Sequence, residues 1–182
     1  ALAVLDALGI VSCGMAGYSM GAWLVSGIAV ECPERVDTAL LAGWDVLEGA
    51  RTFTACTGWE ERLAEFGRIV RELTAADPVP PDAEHVLAWT MCYRQLFETL
   101  PSIRELRAAG VRIDLACGVR DPYLPNCRRA SELLGARLYE LPGNHVSAFV
   151  KPELLAVMQE VFDRARRGAQ SAAPGCVSRG MS

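Results

Sequence analysis

An α/β fold built on a parallel sheet is what this sequence predicts, and three observations predict it. Four short, predominantly apolar runs, at residues 10–16, 36–42, 111–117 and 136–141, have the length and character of buried strands. Segments with helical character alternate with them, giving strand–helix–strand crossovers of the kind that make parallel sheets. Between the first run and its helix stands Gly17-Tyr18-Ser19-Met20-Gly21, a tight strand-to-helix joint.

The elements follow in order. Residues 1–8 read as the last turns of a helix stopped by Gly9, so a chain opening inside a helix without Met is expected to be a fragment or a processed product. Residues 10–16 form the first strand, and residues 20–31 a buried helix closed by Pro33. The second strand is 36–42. From Asp45 to Leu106 the pattern turns helical: Thr57 with Glu60, and Ser102 with Glu105, have the spacing of capping boxes. Residues 82–100 carry a broad apolar stripe, and Asp77-Pro78-Val79-Pro80-Pro81 divides the segment. A stretch this long is a helical cap insertion and not a connecting loop. Alternation then resumes with a strand at 111–117, a helix at 125–134, a strand at 136–141 and a helix at 151–166. The expected organisation is one domain over residues 1–167, with its cap at about 45–106. A Gly-, Ser-, Ala- and Pro-rich tail at 168–182 is expected to be disordered.

Composition narrows the function. Half the residues are apolar (51%) and the net charge is -4, with basic residues scattered, so nucleic acid is not an expected partner. No apolar run is long enough for a transmembrane helix, and the N-terminus lacks the basic region and cleavage site of a signal peptide, so no membrane partner is expected. Seven cysteines without a CxxC pair, and only two histidines, argue against a disulfide framework and a structural metal site. A reducing, cytoplasmic location follows. Cys13 and Cys117 lie within strands and read as core residues, not nucleophiles.

The chemistry centres on Ser19. A GxSxG pattern arises by chance about 0.07 times in a chain of this composition. Here it stands where its chemistry needs it, between a strand and a helix whose N-terminal amides and dipole face the serine. A serine hydroxyl becomes a nucleophile only when a base takes its proton. His145, in the loop Leu141-Pro142-Gly143-Asn144-His145 after the last strand, is the candidate. His85 lies on the amphipathic cap and reads as an ordinary helix histidine. The base in turn needs a carboxylate to hold its tautomer. Asp121, in Gly118-Val119-Arg120-Asp121-Pro122 after the third strand, is the first candidate. Asp45, after the second strand, is an alternative, and Asp114, inside the third, is weaker. Seven aromatic residues between Trp44 and Phe97 could line an apolar acyl pocket, or simply pack the cap.

The elbow, the chain order Ser19, Asp121, His145, the cap and the late histidine loop together resemble the C-terminal half of the α/β-hydrolase family, over residues 10–162. The resemblance implies a truncated α/β-hydrolase-type sheet. It implies Ser19 as nucleophile, Asp121 as acid, His145 as base and the Met20 backbone N–H as one oxyanion donor. It further implies a serine esterase acting on a small-molecule ester or related acyl compound through an acyl-enzyme, with no cofactor or metal. In two respects the sequence departs from the family pattern. Asn144 stands where an acidic residue often precedes the histidine, and the strands and oxyanion loop that usually come before the elbow are absent. The missing half leads to the expectation of a homo-oligomer or a complementing N-terminal piece. It also sets up the rival reading, a non-catalytic binding or assembly module or a degenerate fragment lacking the oxyanion loop.

Overall fold

A computed structural model describes residues 1–53, 61, 64, 68, 94–96 and 99–172. In chain order the elements are α1 (Leu2–Ala7), β1 (Cys13–Tyr18), α2 (Met20–Glu31), a 3-10 turn (Pro33–Arg35), β2 (Val36–Ala42) and a second 3-10 turn (Gly49–Phe53). After these come α3 (Ile103–Ala108), β3 (Arg112–Gly118), α4 (Leu124–Leu134), β4 (Arg137–Leu141), α5 (His145–Phe149) and α6 (Pro152–Ala172). Among the described residues the sheet has four strands in the order β1-β2-β3-β4, and every neighbouring pair is parallel. Register aligns Tyr18 with Ala42, Ala42 with Ala116, and Gly118 with Leu141. The carboxyl ends of all four strands therefore meet along one edge of the sheet.

Helices cover both faces of the sheet, which accounts for the apolar weight of its strands. Leu41, Leu115 and Cys117 point into a core shared with Ala22 and Val25 of α2, Leu106 of α3, and Leu124, Cys127 and Ala130 of α4. Their neighbours Leu40, Ala42 and Ala116 point the other way, into a core closed by Ala148 of α5 and by Leu154, Val157 and Val161 of α6. Each large aliphatic side chain buried in this way contributes roughly 1.5–3 kcal/mol. In α2 the buried residues Ala22, Val25, Ser26 and Ala29 recur at helical spacing along the face that meets the sheet.

Among the described residues the expected strands and helices outside the cap are present, most of them with shifted ends. β1 starts at Cys13, three residues after the apolar run begins, because the carbonyls of Ile10 and Val11 accept hydrogen bonds from the Arg35 guanidinium. The pairing is irregular between Cys13 and Gly14 and regular from there to Tyr18. The Ser102–Glu105 capping box is present and opens α3. That helix, counted with the cap in the sequence, buries Leu106 in the main core beside Leu115. The Thr57–Glu60 spacing and His85 lie outside the described residues. α6 continues to Ala172, so the first five residues of the expected disordered tail are helical; its backbone carries on through Gly168, which does not break the ladder. Among the described residues no helix is long and apolar enough to cross a membrane.

Candidate active site

The elbow is built from one strained residue and one glycine. Ser19 has φ 54°, the one positive value at a non-glycine position among the described residues, a conformation that costs on the order of 1–3 kcal/mol. What holds it there is its membership of two elements at once. Its N–H donates to the Ala42 carbonyl at 2.8 Å, extending the β1–β2 pairing, while its carbonyl accepts from Ala22 and Trp23 N–H at 2.9 and 3.1 Å, starting α2. The turn is tight enough that a Cβ on Gly17 would lie 2.2 Å from the Gly21 carbonyl group. The second glycine of the motif differs: a Cβ on Gly21 would meet nothing within 4 Å. Only the first is demanded by close approach.

His145 begins α5, a helix of five residues where the sequence suggested a loop. Asn144 caps it. Its Oδ1 accepts from the Val146 and Ser147 N–H groups, and the Ser147 hydroxyl accepts from the Asn144 N–H. Asn caps about as well as Asp, so this departure from the acidic residue leaves the cap intact. Asp121 sits in the turn between β3 and α4, its N–H donating to the Gly118 carbonyl at 2.9 Å. That turn is joined to the β4–α5 loop by Val119 N–H to Leu141 carbonyl (2.8 Å) and Arg120 N–H to Gly143 carbonyl (2.9 Å).

These three loops bring Ser19, His145 and Asp121 into one hydrogen-bonded chain. His145 Nδ1 lies 2.8 Å from Asp121 Oδ2, and His145 Nε2 lies 3.0 Å from Ser19 Oγ. An ionised carboxylate only accepts, so Nδ1 carries the proton and Nε2 is left to accept the serine O–H. The Asp121 side chain has no solvent exposure, and its other oxygen accepts from Tyr123 N–H at 3.0 Å. Tyr123 meets the imidazole edge-on at 5.5 Å, and burial drives its hydroxyl pKa well upward, so this wall stays neutral. The Met20 N–H is the first of α2, among the donors that precede the intrahelical ladder.

The other candidates have different surroundings. Asp45 is fully buried and occupied: Oδ1 accepts from Leu47 and Glu48 N–H, and Oδ2 from the Thr52 hydroxyl and the Asn126 amide. It organises the loop after β2 and anchors it to α4. Asp114 pairs with Arg164 of α6. The Cys117 thiol is held far above its ordinary pKa, first by its hydrogen bond with Cys127 and then by burial, which suits a core thiol. Cys127 in turn donates to the Trp44 carbonyl at 3.3 Å. Of the aromatic set in the cap, Trp44 is buried against Tyr123; Trp59, Phe66, Trp89, Tyr93 and Phe97 lie outside the described residues.

Sequence reasoning missed two contributors. The Asn144–Ser147 cap had a local signal, a polar pair at capping spacing before an apolar turn. The Tyr18 hydroxyl donates to the His145 backbone carbonyl at 2.5 Å, across 127 positions of sequence, and no local pattern announces such a contact.

No protein-family model matches the chain, and no curated protein matches it in sequence. Solved structures do match. MGS-M2, an α/β-hydrolase enzyme from a Medee basin deep-sea metagenome library, superimposes with a TM-score of 0.62 at 16% identity, over 86% of this chain and 66% of its own. The enol-lactonase of Burkholderia xenovorans LB400 gives 0.59 at 17% identity, over 89% and 68%. A carboxylesterase of the ammonia-oxidizing thaumarchaeon Nitrososphaera gargenis gives 0.58 at 18%, over 92% and 70%. At such identities the likeness speaks of fold: four parallel strands, helices on both faces and a strained serine at the strand-to-helix joint make this chain an α/β-hydrolase fold, spanning about two thirds of the length of these solved relatives.

Proposed function

We propose that the protein is a serine hydrolase that cleaves carboxylic esters of small molecules through a Ser19 acyl-enzyme, with Asp121 and His145 completing a catalytic triad. The observation that carries this reading is the continuous chain Asp121 Oδ2–His145 Nδ1 (2.8 Å) and His145 Nε2–Ser19 Oγ (3.0 Å). In the proposed reaction Nε2 takes the serine proton as Oγ attacks the ester carbonyl. Asp121 stabilises the imidazolium that results. The tetrahedral oxyanion receives the Met20 N–H, and a donor of this kind contributes ~10²–10³ in turnover. Collapse expels the alkoxide, which takes the proton from His145. Water, activated by the same base, then releases the acid.

The free thiols of Cys13, Cys32, Cys117 and Cys127 support a reducing, cytoplasmic setting. β1 is the edge of the described sheet, which supports a role for its outer side in pairing with a second copy or with a complementing N-terminal piece. Sedimentation at micromolar concentration tests that role, and a monomer with full turnover overturns it. The hydrolase reading is tested with a fluorophosphonate probe. Labelling lost in Ser19→Ala and in His145→Ala is the expected result. A wild-type chain that takes no label, yet is folded, would favour a binding or assembly module.

A further inference from the structure

We infer that Tyr18 is a positioning residue for His145, acting through the backbone carbonyl of that histidine. The inference rests on the proposed triad and goes beyond it. Tyr18 is the last residue of β1 and the immediate neighbour of Ser19 in sequence. Its hydroxyl donates to the His145 carbonyl at 2.5 Å, and its ring lies 5.5 Å from the imidazole and 5.0 Å from the Phe149 ring. One side chain therefore ties the strand that carries the nucleophile to both ends of the helix that carries the base.

The short length of α5 makes this tie consequential. A helix of five residues has little stability of its own, so its place is set by the groups that hold it. The Asn144 cap orders its first turn from within, and Arg120 N–H to Gly143 carbonyl fixes the preceding loop to the β3–α4 turn. Neither refers α5 to the elbow. The Tyr18 hydroxyl does, which keeps Nε2 in reach of Oγ in the absence of substrate.

Two further features fit this role. Gly43, at φ 55°, passes under the Tyr18 ring so closely that a Cβ there would lie 2.6 Å from it, so the β2 end is shaped to admit the ring in this one place. The hydroxyl also stays protonated, and thus a donor, because burial and then the Asp121 charge push its pKa upward.

The test uses the full chain and a fluorophosphonate. Tyr18→Phe keeps the ring and removes the bond. The maximal labelling rate of Ser19 is expected to fall about tenfold, the factor that about 1.4 kcal/mol makes. Half-saturation should stay within about twofold of wild type and the melting temperature within about 4 °C, as for one neutral hydrogen bond. A labelling rate within twofold of wild type overturns the inference, as does a loss explained wholly by unfolding. Should wild type take no label, the hydrolase reading falls, and the positioning claim is decided by the downfield Nδ1 proton resonance of His145. That resonance is expected sharp in wild type and broadened in Tyr18→Phe; an unchanged line overturns it.

Discussion

Alanine at Gly17 and alanine at Gly21 should have opposite effects, although both positions belong to the same five-residue motif. At Gly17 the new Cβ would sit 2.2 Å from Gly21 backbone atoms and 2.5 Å from Ala22 N. Ordinary contact begins near 3.4 Å, so β1 and the first turn of α2 must part by about 1.2 Å. Backbone cannot rotate away as a flexible side chain can, and overpacking of this kind costs about 3 kcal/mol. For a chain of this size that is a drop of roughly 6–12 °C in melting temperature. The same movement drags Ser19 from its bond to the Ala42 carbonyl and from His145, and a misplacement of about 1 Å lowers a positioned reaction by roughly 100-fold. At Gly21 the Cβ meets nothing within 4 Å, and alanine is the better helix former by up to ~1 kcal/mol. Gly21→Ala should melt at or slightly above wild type and label with fluorophosphonate at the same rate. Calorimetry with timed labelling of the two variants decides it. Equal losses in both, or a Gly17→Ala protein indistinguishable from wild type, would refute the reasoning from close approach.

Asp121→Asn should lower p-nitrophenyl ester turnover by about 10³–10⁴, since the amide no longer fixes the imidazole tautomer. Asp45→Asn should instead lower the melting temperature while sparing the labelling rate per folded molecule, because that carboxylate accepts four hydrogen bonds and touches no part of the serine–histidine pair. Arg164→Ala leaves buried Asp114 unpaired and should cost about 3 kcal/mol or more by chemical denaturation, against a smaller loss in Asp114→Asn with Arg164 intact. The Ser102 cap holds the Glu105 carboxyl below its ordinary value of 4.5, through the side-chain and then the backbone hydrogen bond. A depressed carboxylate contributes stability above its ordinary pKa and loses it as pH falls through the lowered value. Thermal melts from pH 5 downward should therefore show a shallower acid slope in Glu105→Gln, and an unchanged slope would exclude the cap as a contributor.

What was legible in the sequence was what local physics decides. Predominantly apolar runs of strand length, set between helical segments, read as buried strands, and Val36–Ala42 was placed to the residue. The Ser102–Glu105 pair named its own helix start, because a cap is a contact between residues three apart. Ser19, Asp121 and His145 were each named as candidates by position, since every one follows the carboxyl end of a parallel strand. Other outcomes depended on groups distant in the chain. β1 began at Cys13 because Arg35, two elements later, takes the carbonyls of residues 10 and 11. Asp121 and Asp45 looked alike as post-strand carboxylates; they were separated by which donors the folded chain aimed at each, amides and Asn126 at Asp45, the imidazole at Asp121. The Tyr18 link to His145 spans 127 positions, and a hydrogen bond across that separation has no periodicity to read. Sequence by itself determined which residue types stand at the strand ends. Only the tertiary structure decided which of them meet, because hydrogen bonds act over about 3 Å and that proximity is set by the packing of the whole sheet.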